Sequence, residues 1–170
     1  MQSMEKVVSS YNSAILNPAS TPKENERTCN CRKPDHCPLN RECLAASLIY
    51  KATVTTKDTE KFYYGLVEGD FKKRWANHRT SFKNAKYEHD TALSAYVWSL
   101  KDKNEEFEIK WKIEKKSTPY TIGSKTCNLC TDEKLCILEA NKKSLLNEKS
   151  ELISKCRHRA KFLLKNFDCG

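Results

Sequence analysis

Ser47–Leu48–Ile49–Tyr50–Lys51–Ala52–Thr53–Val54–Thr55–Thr56, then Lys57–Asp58–Thr59–Glu60, then Lys61–Phe62–Tyr63–Tyr64–Gly65–Leu66–Val67: the fold turns on how this stretch is read. Two runs rich in β-branched and aromatic residues flank a short polar segment, which predicts a β-hairpin. On its adjacent strands Tyr50 and Tyr63 can bring their hydroxyls to one face. Strand tyrosines often do no more than pack, and packing is the role expected of Tyr64.

Moving outward, Asp70 to Lys83 reads as a helix, with Asp70 as N-cap and Phe71, Trp75 and Phe82 on one face. His89 to Leu100 reads as a second helix with Leu93, Val97 and Leu100 inward. Phe107, Ile109, Trp111 and Ile113 alternate strictly with Glu108, Lys110, Lys112 and Glu114, the pattern of a half-buried strand. After a loop holding Pro119 and Gly123, Thr131 to Leu146 spaces Leu135, Leu138 and Leu145 helically, with Thr131 and Asp132 as caps. A basic helix is expected from His158 to Asn166. Upstream, Met4 to Leu16 reads as a short amphipathic helix, Asn17 to Thr28 as a linker, and Cys29 to Cys43 as an irregular cysteine-rich loop. The expected class is α/β (α+β): a small three-stranded mixed sheet flanked by helices. The expected units are 1–28 (helix and linker), 29–45 (cysteine-rich segment), 46–150 (α/β domain) and 151–170 (basic C-terminal helix).

A chain of 170 residues with net charge +9 has room for one core and favours an anionic partner, nucleic acid first. Lys72, Lys73, Arg79 and Lys83 on the first helix, and Arg157, Arg159 and Lys161 near the end, suit phosphate contacts that position without specifying sequence; a solvated face is the plainer reading of any one of them. The apolar runs are too short to span a bilayer, so no membrane partner is expected. No signal-peptide pattern or Asn-x-Ser/Thr acceptor is present, so the nine cysteines read as reduced thiols holding zinc in an intracellular protein.

Arg74 and His78 lie one helical turn apart and share a face. A guanidinium grips a phosphate through parallel hydrogen bonds and offsets charge growing on its oxygens. A phenol such as Tyr50 or Tyr63 can relay a proton to or from water where a cation lowers its pKa.

Leu48–Ile49–Tyr50, Tyr63–Tyr64–Gly65, Arg74 and His78 occur in the order found in GIY-YIG nucleases, which the chain resembles from Leu48 to Asn147. Leu48 stands where that family's first triplet has glycine, and Tyr64 where the second usually has isoleucine. The resemblance implies a metal-dependent DNA endonuclease. Water would be activated near Tyr50 with Tyr63 and His78 assisting, and Arg74 would clamp the phosphate. Glu133, near the start of its helix with Ile137 one turn on, would hold Mg2+ or Mn2+, and Asn147, about four turns later, would orient the site. As a bare sequence feature, Glu133 is equally an exposed first-turn glutamate favoured by the helix dipole. Cys37–Pro38–Leu39, Cys127-x-x-Cys130, Leu145–Leu146–Asn147, Ser150–Glu151–Leu152 and Lys155–Cys156–Arg157–His158 narrow the resemblance to the endonuclease domain of Penelope-like retroelements. That implies fusion to a reverse transcriptase, nicking of target DNA to prime reverse transcription, contact with element RNA, and a nuclear location. Two rivals stand beside it: a zinc-stabilised nucleic-acid-binding module without activity, and a structure-specific nuclease for branched DNA.

Cys127 and Cys130 form a knuckle, and Cys156 with His158 offers a second pair, so the four can complete a Cys3His zinc site. Buried free thiols are the alternative, and the retroelement resemblance, with its mixed cysteine and histidine ligands, leaves the histidine open to exchange. Cys29, Cys31, Cys37 and Cys43 offer a second zinc site, with His36 as a substitute ligand. Cys136 reads as a core residue and Cys169 as inert.

Overall fold

The computed structural model describes residues 27–158. The helix expected over Met4–Leu16, nearly all of the linker, and the basic helix with Arg159, Lys161 and Cys169 lie outside the described residues.

Strands β1 (Leu48–Thr56) and β2 (Glu60–Val67) form the expected hairpin, and β3 (Phe107–Lys116) pairs with the other side of β1, giving the order β2-β1-β3. Both pairings are antiparallel, so the sheet is antiparallel where a mixed one was expected. The reason is positional: β2 and β3 run the same way, but β1 lies between them. A parallel bridge does occur outside the named strands, Phe62 to Leu145.

Helices α1 (Phe71–Lys83), α2 (Ala92–Asp102), α3 (Asn128–Glu139) and α4 (Lys149–Ile153) complete an α+β fold, with 3-10 turns at Pro34–His36 and Ala85–Tyr87. Side-chain alternation along the strands makes two cores. Leu48, Tyr50, Ala52 and Val54 of β1 join Tyr63 and Val67 of β2 under Phe71 of α1 and Leu93, Val97 and Leu100 of α2. Ile49, Tyr64 and Leu66 face the other way, under Leu129 and Ile137 of α3. β1 is therefore covered on both faces at its start, whereas β3 alternates half-buried and exposed as its sequence pattern requires.

Helix boundaries differ from expectation for local reasons. Asp70 is the N-cap of α1, but its side chain makes no capping bond; it pairs instead with Lys73 at 3.8 Å. The amides of Phe71 and Lys72 are taken by Ala45 O and Cys43 O, so the cysteine-rich loop caps the helix. α2 begins at Ala92 and not His89, because Thr91 is the N-cap and its hydroxyl accepts from Ser94 N at 3.0 Å. α3 runs from Asn128 to Glu139 and not to Leu146, so Thr131 and Asp132 are not its caps. Cys127 is: its sulfur accepts from Cys130 N at 3.5 Å. The inward stripe is Leu129, Glu133 and Ile137, while Leu135 and Leu138 are 44% and 55% exposed. A glutamate in the buried stripe hides that stripe from any search for apolar spacing.

Leu48 lies fully buried in extended strand, so nothing there requires a glycine. The left-handed residue is Ser47, at φ 48°, held by bonds from its N–H to Glu68 O and from Ser117 N to its carbonyl. Gly65 sits opposite Tyr50 in the register, and a Cβ built on it would lie 2.3 Å from the Tyr50 hydroxyl oxygen. The tyrosine ring crosses the space that any other side chain would fill.

Candidate active site and metal clusters

Tyr50 stands at the centre. Its hydroxyl is 2.7 Å from His78 Nε2 and accepts from Arg74 Nε at 3.1 Å, so α1 and β1 meet in a buried three-residue hydrogen-bonded group. The spacing of Arg74 and His78 on one helical turn delivers both to the same phenol. Phe71, Trp111 and Tyr63 wall the phenol ring at centroid distances of 5.2, 5.8 and 6.5 Å.

Burial pushes the Tyr50 pKa up, and it outweighs the opposing pull of the Arg74 charge and hydrogen bond. Tyr63 is also raised well above the ordinary phenol range, again chiefly by burial. Both are protonated phenols at neutral pH, contrary to the depression a nearby cation alone would cause. His78 is pushed down to about 3 by burial and then by Arg74, so it is a neutral imidazole. With Arg74 donating to the phenol oxygen, the phenol hydrogen satisfies Nε2 of that neutral ring.

A cleft of about 300 Å³ opens beside this group, lined among others by Tyr63, Arg74, His78, Glu151 and Arg157. Tyr50 is fully buried behind it, so His78 and Arg74, not Tyr50, meet the solvent-filled space.

Glu133 and Asn147 lie along the outer edge of β2, and neither is among the residues that line the cleft. Edge peptides left unpaired are costly or aggregation-prone, and here those at alternate positions are bonded. Phe62 N donates to Ser144 O and its carbonyl accepts from Leu146 N. Asn147 accepts from Tyr64 N through Oδ1 and donates to Tyr64 O through Nδ2, both at 2.8 Å. Leu66 N donates to Glu133 Oε1 at 3.0 Å. Glu133 is thus a buried second-turn residue, not an exposed first-turn one, and Asn147 lies beyond α3. Burial raises the Glu133 pKa, and Arg157, 3.6 Å from Oε1, opposes that shift. Leu66 N and Arg157 both approach Oε1, and among the described residues none donates a hydrogen bond to Oε2.

Sequence reasoning assigned no role to Glu151, which accepts from the Tyr63 hydroxyl at 3.3 Å and caps α4 by accepting from Glu148 N at 2.8 Å. The capping box between Glu148 and Glu151 was a signal for it. Lys134 was missed as well; it donates to the carbonyls of Glu151, Leu152 and Ser154, tying α3 to the end of α4.

The basic residues expected to touch DNA have varied surroundings. Lys72 donates to Asn30 Oδ1 at 2.5 Å, Lys73 pairs with Asp70, and Arg79 stacks on Trp75 at 4.8 Å, while Lys83 is exposed. Arg157 faces the cleft.

The cysteines gather as expected. Ligand atoms of Cys29, Cys31, Cys37 and Cys43 all lie within 4.8 Å of one another, and so do those of Cys127, Cys130, Cys156 and His158. His36 belongs to neither set. Sulfur separations of 3.5 and 3.7 Å in the first set are close to the edge, roughly 3.8 Å, of a tetrahedron with Zn–S bonds near 2.3 Å. In the second set His158 Nδ1 is 3.2, 3.5 and 4.0 Å from the sulfurs of Cys127, Cys130 and Cys156. Its other nitrogen meets Glu68 Oε2 at 3.0 Å, and its ring stacks on Tyr120, the outer support that metal-binding histidines receive. Cys43 and Cys130 are both pushed up to about 12, chiefly by burial, so without a cation these buried thiols stay neutral. Both sets fit a zinc-like ion. Cys136 is half-buried against the second core.

Among the described residues no helix is long and apolar enough to cross a membrane. Comparison of the chain with protein-family models, curated proteins and solved structures finds no match.

Proposed function

We propose that this protein is a metal-dependent DNA endonuclease of the GIY-YIG type, of the kind carried by Penelope-like retroelements. One observation carries the reading: the Tyr50–Arg74–His78 group, with bonds of 2.7 and 3.1 Å, stands at the wall of a cleft, and Arg157 on that cleft pairs with the buried carboxylate of Glu133. Aromatic packing explains the buried tyrosine and the ring contacts of His78 with Phe82 and Trp111, but not an arginine bonded to the same phenol.

In this reading a phosphodiester enters the cleft against the Arg74 guanidinium, whose Nε is committed to Tyr50 and whose terminal amino groups serve the phosphate oxygens. The phosphate charge offsets Arg74, the second cause of the depressed His78 pKa, and brings the imidazole nearer the range of a useful base. Water attacks phosphorus and one P–O ester bond breaks; the water proton is relayed to the Tyr50 oxygen as the phenol proton passes to His78 Nε2, and the departing oxygen is protonated from solvent. Tyr63, held by Glu151, lines the same wall. Glu133 would hold Mg2+ or Mn2+, which when bound stabilises charge on the attacking and leaving oxygens. Asn147 acts by pinning β2, and so orients Tyr63 and Gly65 from behind.

The test is supercoiled plasmid with Mg2+ or Mn2+, comparing the parent chain with Glu133→Ala. Open circles from the parent alone are expected. Intact plasmid in both lanes with retained DNA binding would instead favour a zinc-stabilised binding module.

A further inference from the structure

Arg157 holds an unusual place. It lies between Cys156 and His158 of the second cluster in the chain, while its side chain is 51% exposed and lines the cleft. Glu133, its partner, is 12% exposed and held at Oε1 by Leu66 N. One member of the pair is therefore buried and held from a second side, and the other is open to solvent. The contact is one nitrogen to one oxygen at 3.6 Å, not the parallel two-bond fork that binds arginine strongly to carboxylate.

On the hydrolase reading above, we propose that Arg157 is a phosphate-gated partner of Glu133: it neutralises the carboxylate in the free protein and releases it to a divalent cation when a nucleic-acid phosphate draws the guanidinium into the cleft. The phosphate then sits between two guanidiniums, Arg74 and Arg157. Glu133 stays where Leu66 holds it, with its charge uncovered. Such an exchange couples two ligands, so phosphate must raise cation affinity and the cation must raise phosphate affinity by the same factor. The second metal cluster sets the pivot of the swinging arm, which makes Arg157 a positioning residue tied to both metals.

The test uses the zinc-loaded full chain, Mn2+, and a short duplex with phosphorothioate linkages that resist cleavage. Mn2+ affinity is measured with and without duplex, and duplex affinity with and without Mn2+. In the parent protein each ligand is expected to tighten the other about tenfold, within the usual range of such couplings. Arg157→Gln is expected to bind Mn2+ about tenfold more tightly without DNA and to lose the coupling, while Arg157→Lys keeps part of it. A merely structural arginine would weaken Mn2+ binding when replaced, not strengthen it. Unchanged or weaker Mn2+ binding by Arg157→Gln at full zinc content, with the parent still nicking plasmid, overturns the proposal and leaves the hydrolase standing. A parent that neither nicks plasmid nor binds Mn2+ removes both.

Discussion

The two cysteine clusters use the same chemistry for different ends. Cys29, Cys31, Cys37 and Cys43 lie within one short loop, two of them half-exposed, and the loop meets the body at the start of α1 through Cys43 O, Ala45 O and Asn30. Cys127, Cys130, Cys156 and His158 join segments far apart in the chain, with all three sulfurs buried and the histidine supported by Glu68 and Tyr120. The first is a local staple that caps the helix bearing Arg74 and His78. The second is a tertiary rivet that begins the helix bearing Glu133 and fixes the backbone of Arg157. Each half of the candidate site thus starts at its own cysteine cluster.

The sharpest way to break this contrast is to remove one thiol from each. Structural zinc couples strongly to folding, and the longer loop closed by the second cluster leaves more chain entropy to regain. Cys127→Ser is expected to cost about 3 kcal/mol or more, roughly 10 °C or more in a thermal melt. Cys37→Ser should cost less, and its loss of amide-exchange protection should centre on Phe71 and Lys72. Equal costs, or protection lost throughout the sheet in both, would erase the distinction between staple and rivet. A strong chelator should lower the melting temperature of the parent.

Between the clusters lies a junction that neither of them holds, the crossing of Tyr50 over Gly65. Gly65→Ala is expected to cost about 1–3 kcal/mol by overpacking and to abolish nicking, because Tyr50 must move. Full activity in that variant would show that the crossing tolerates a methyl and that the buried group does not depend on it.

His78 gives a pH signature. Its folded pKa of about 3 lies below the unfolded value of 6.5, so the unfolded chain binds the extra proton. Stability from this group is complete above pH 6.5 and falls as the pH drops toward 3, by about 2 kcal/mol at pH 5. Denaturant melts of the parent and His78→Gln between pH 8 and pH 4.5 test this: the parent should lose stability more steeply over that range, whatever the absolute stability of the variant. Identical slopes would mean that His78 is not the group through which the protein loses stability as the pH falls.

Asn147→Ala should have the smallest effect, about 1–2 kcal/mol, for two lost hydrogen bonds at the edge of β2. If it abolishes nicking while leaving the melt unchanged, Asn147 acts on substrate and not on the strand.

The hairpin, the β3 alternation and the two metal-ligand sets were legible because each rests on short-range spacing: period two for strands, and close Cys-x-Cys or Cys-x-x-Cys pairs for metal. α3 was misread because its buried stripe contains Glu133, and apolar spacing drew the helix toward Leu135, Leu138 and Leu145 instead. Leu145 instead bridges to Phe62, outside any helix. Tyr50 was expected at the water-activating face, but the sheet buries it behind Arg74 and His78.

By itself the sequence determined which residues were available and how each local segment pairs or coils, because backbone propensity, side-chain period and ligand spacing act over a few residues. Only the tertiary structure decided the rest: that β1 separates β2 from β3 and makes the sheet antiparallel, that Glu133 and Asn147 bond the open edge of β2, that Glu151 meets Tyr63, and that burial leaves two phenols protonated and His78 neutral. Those outcomes depend on contacts between segments distant in the chain and on the water they exclude, and no local pattern encodes either.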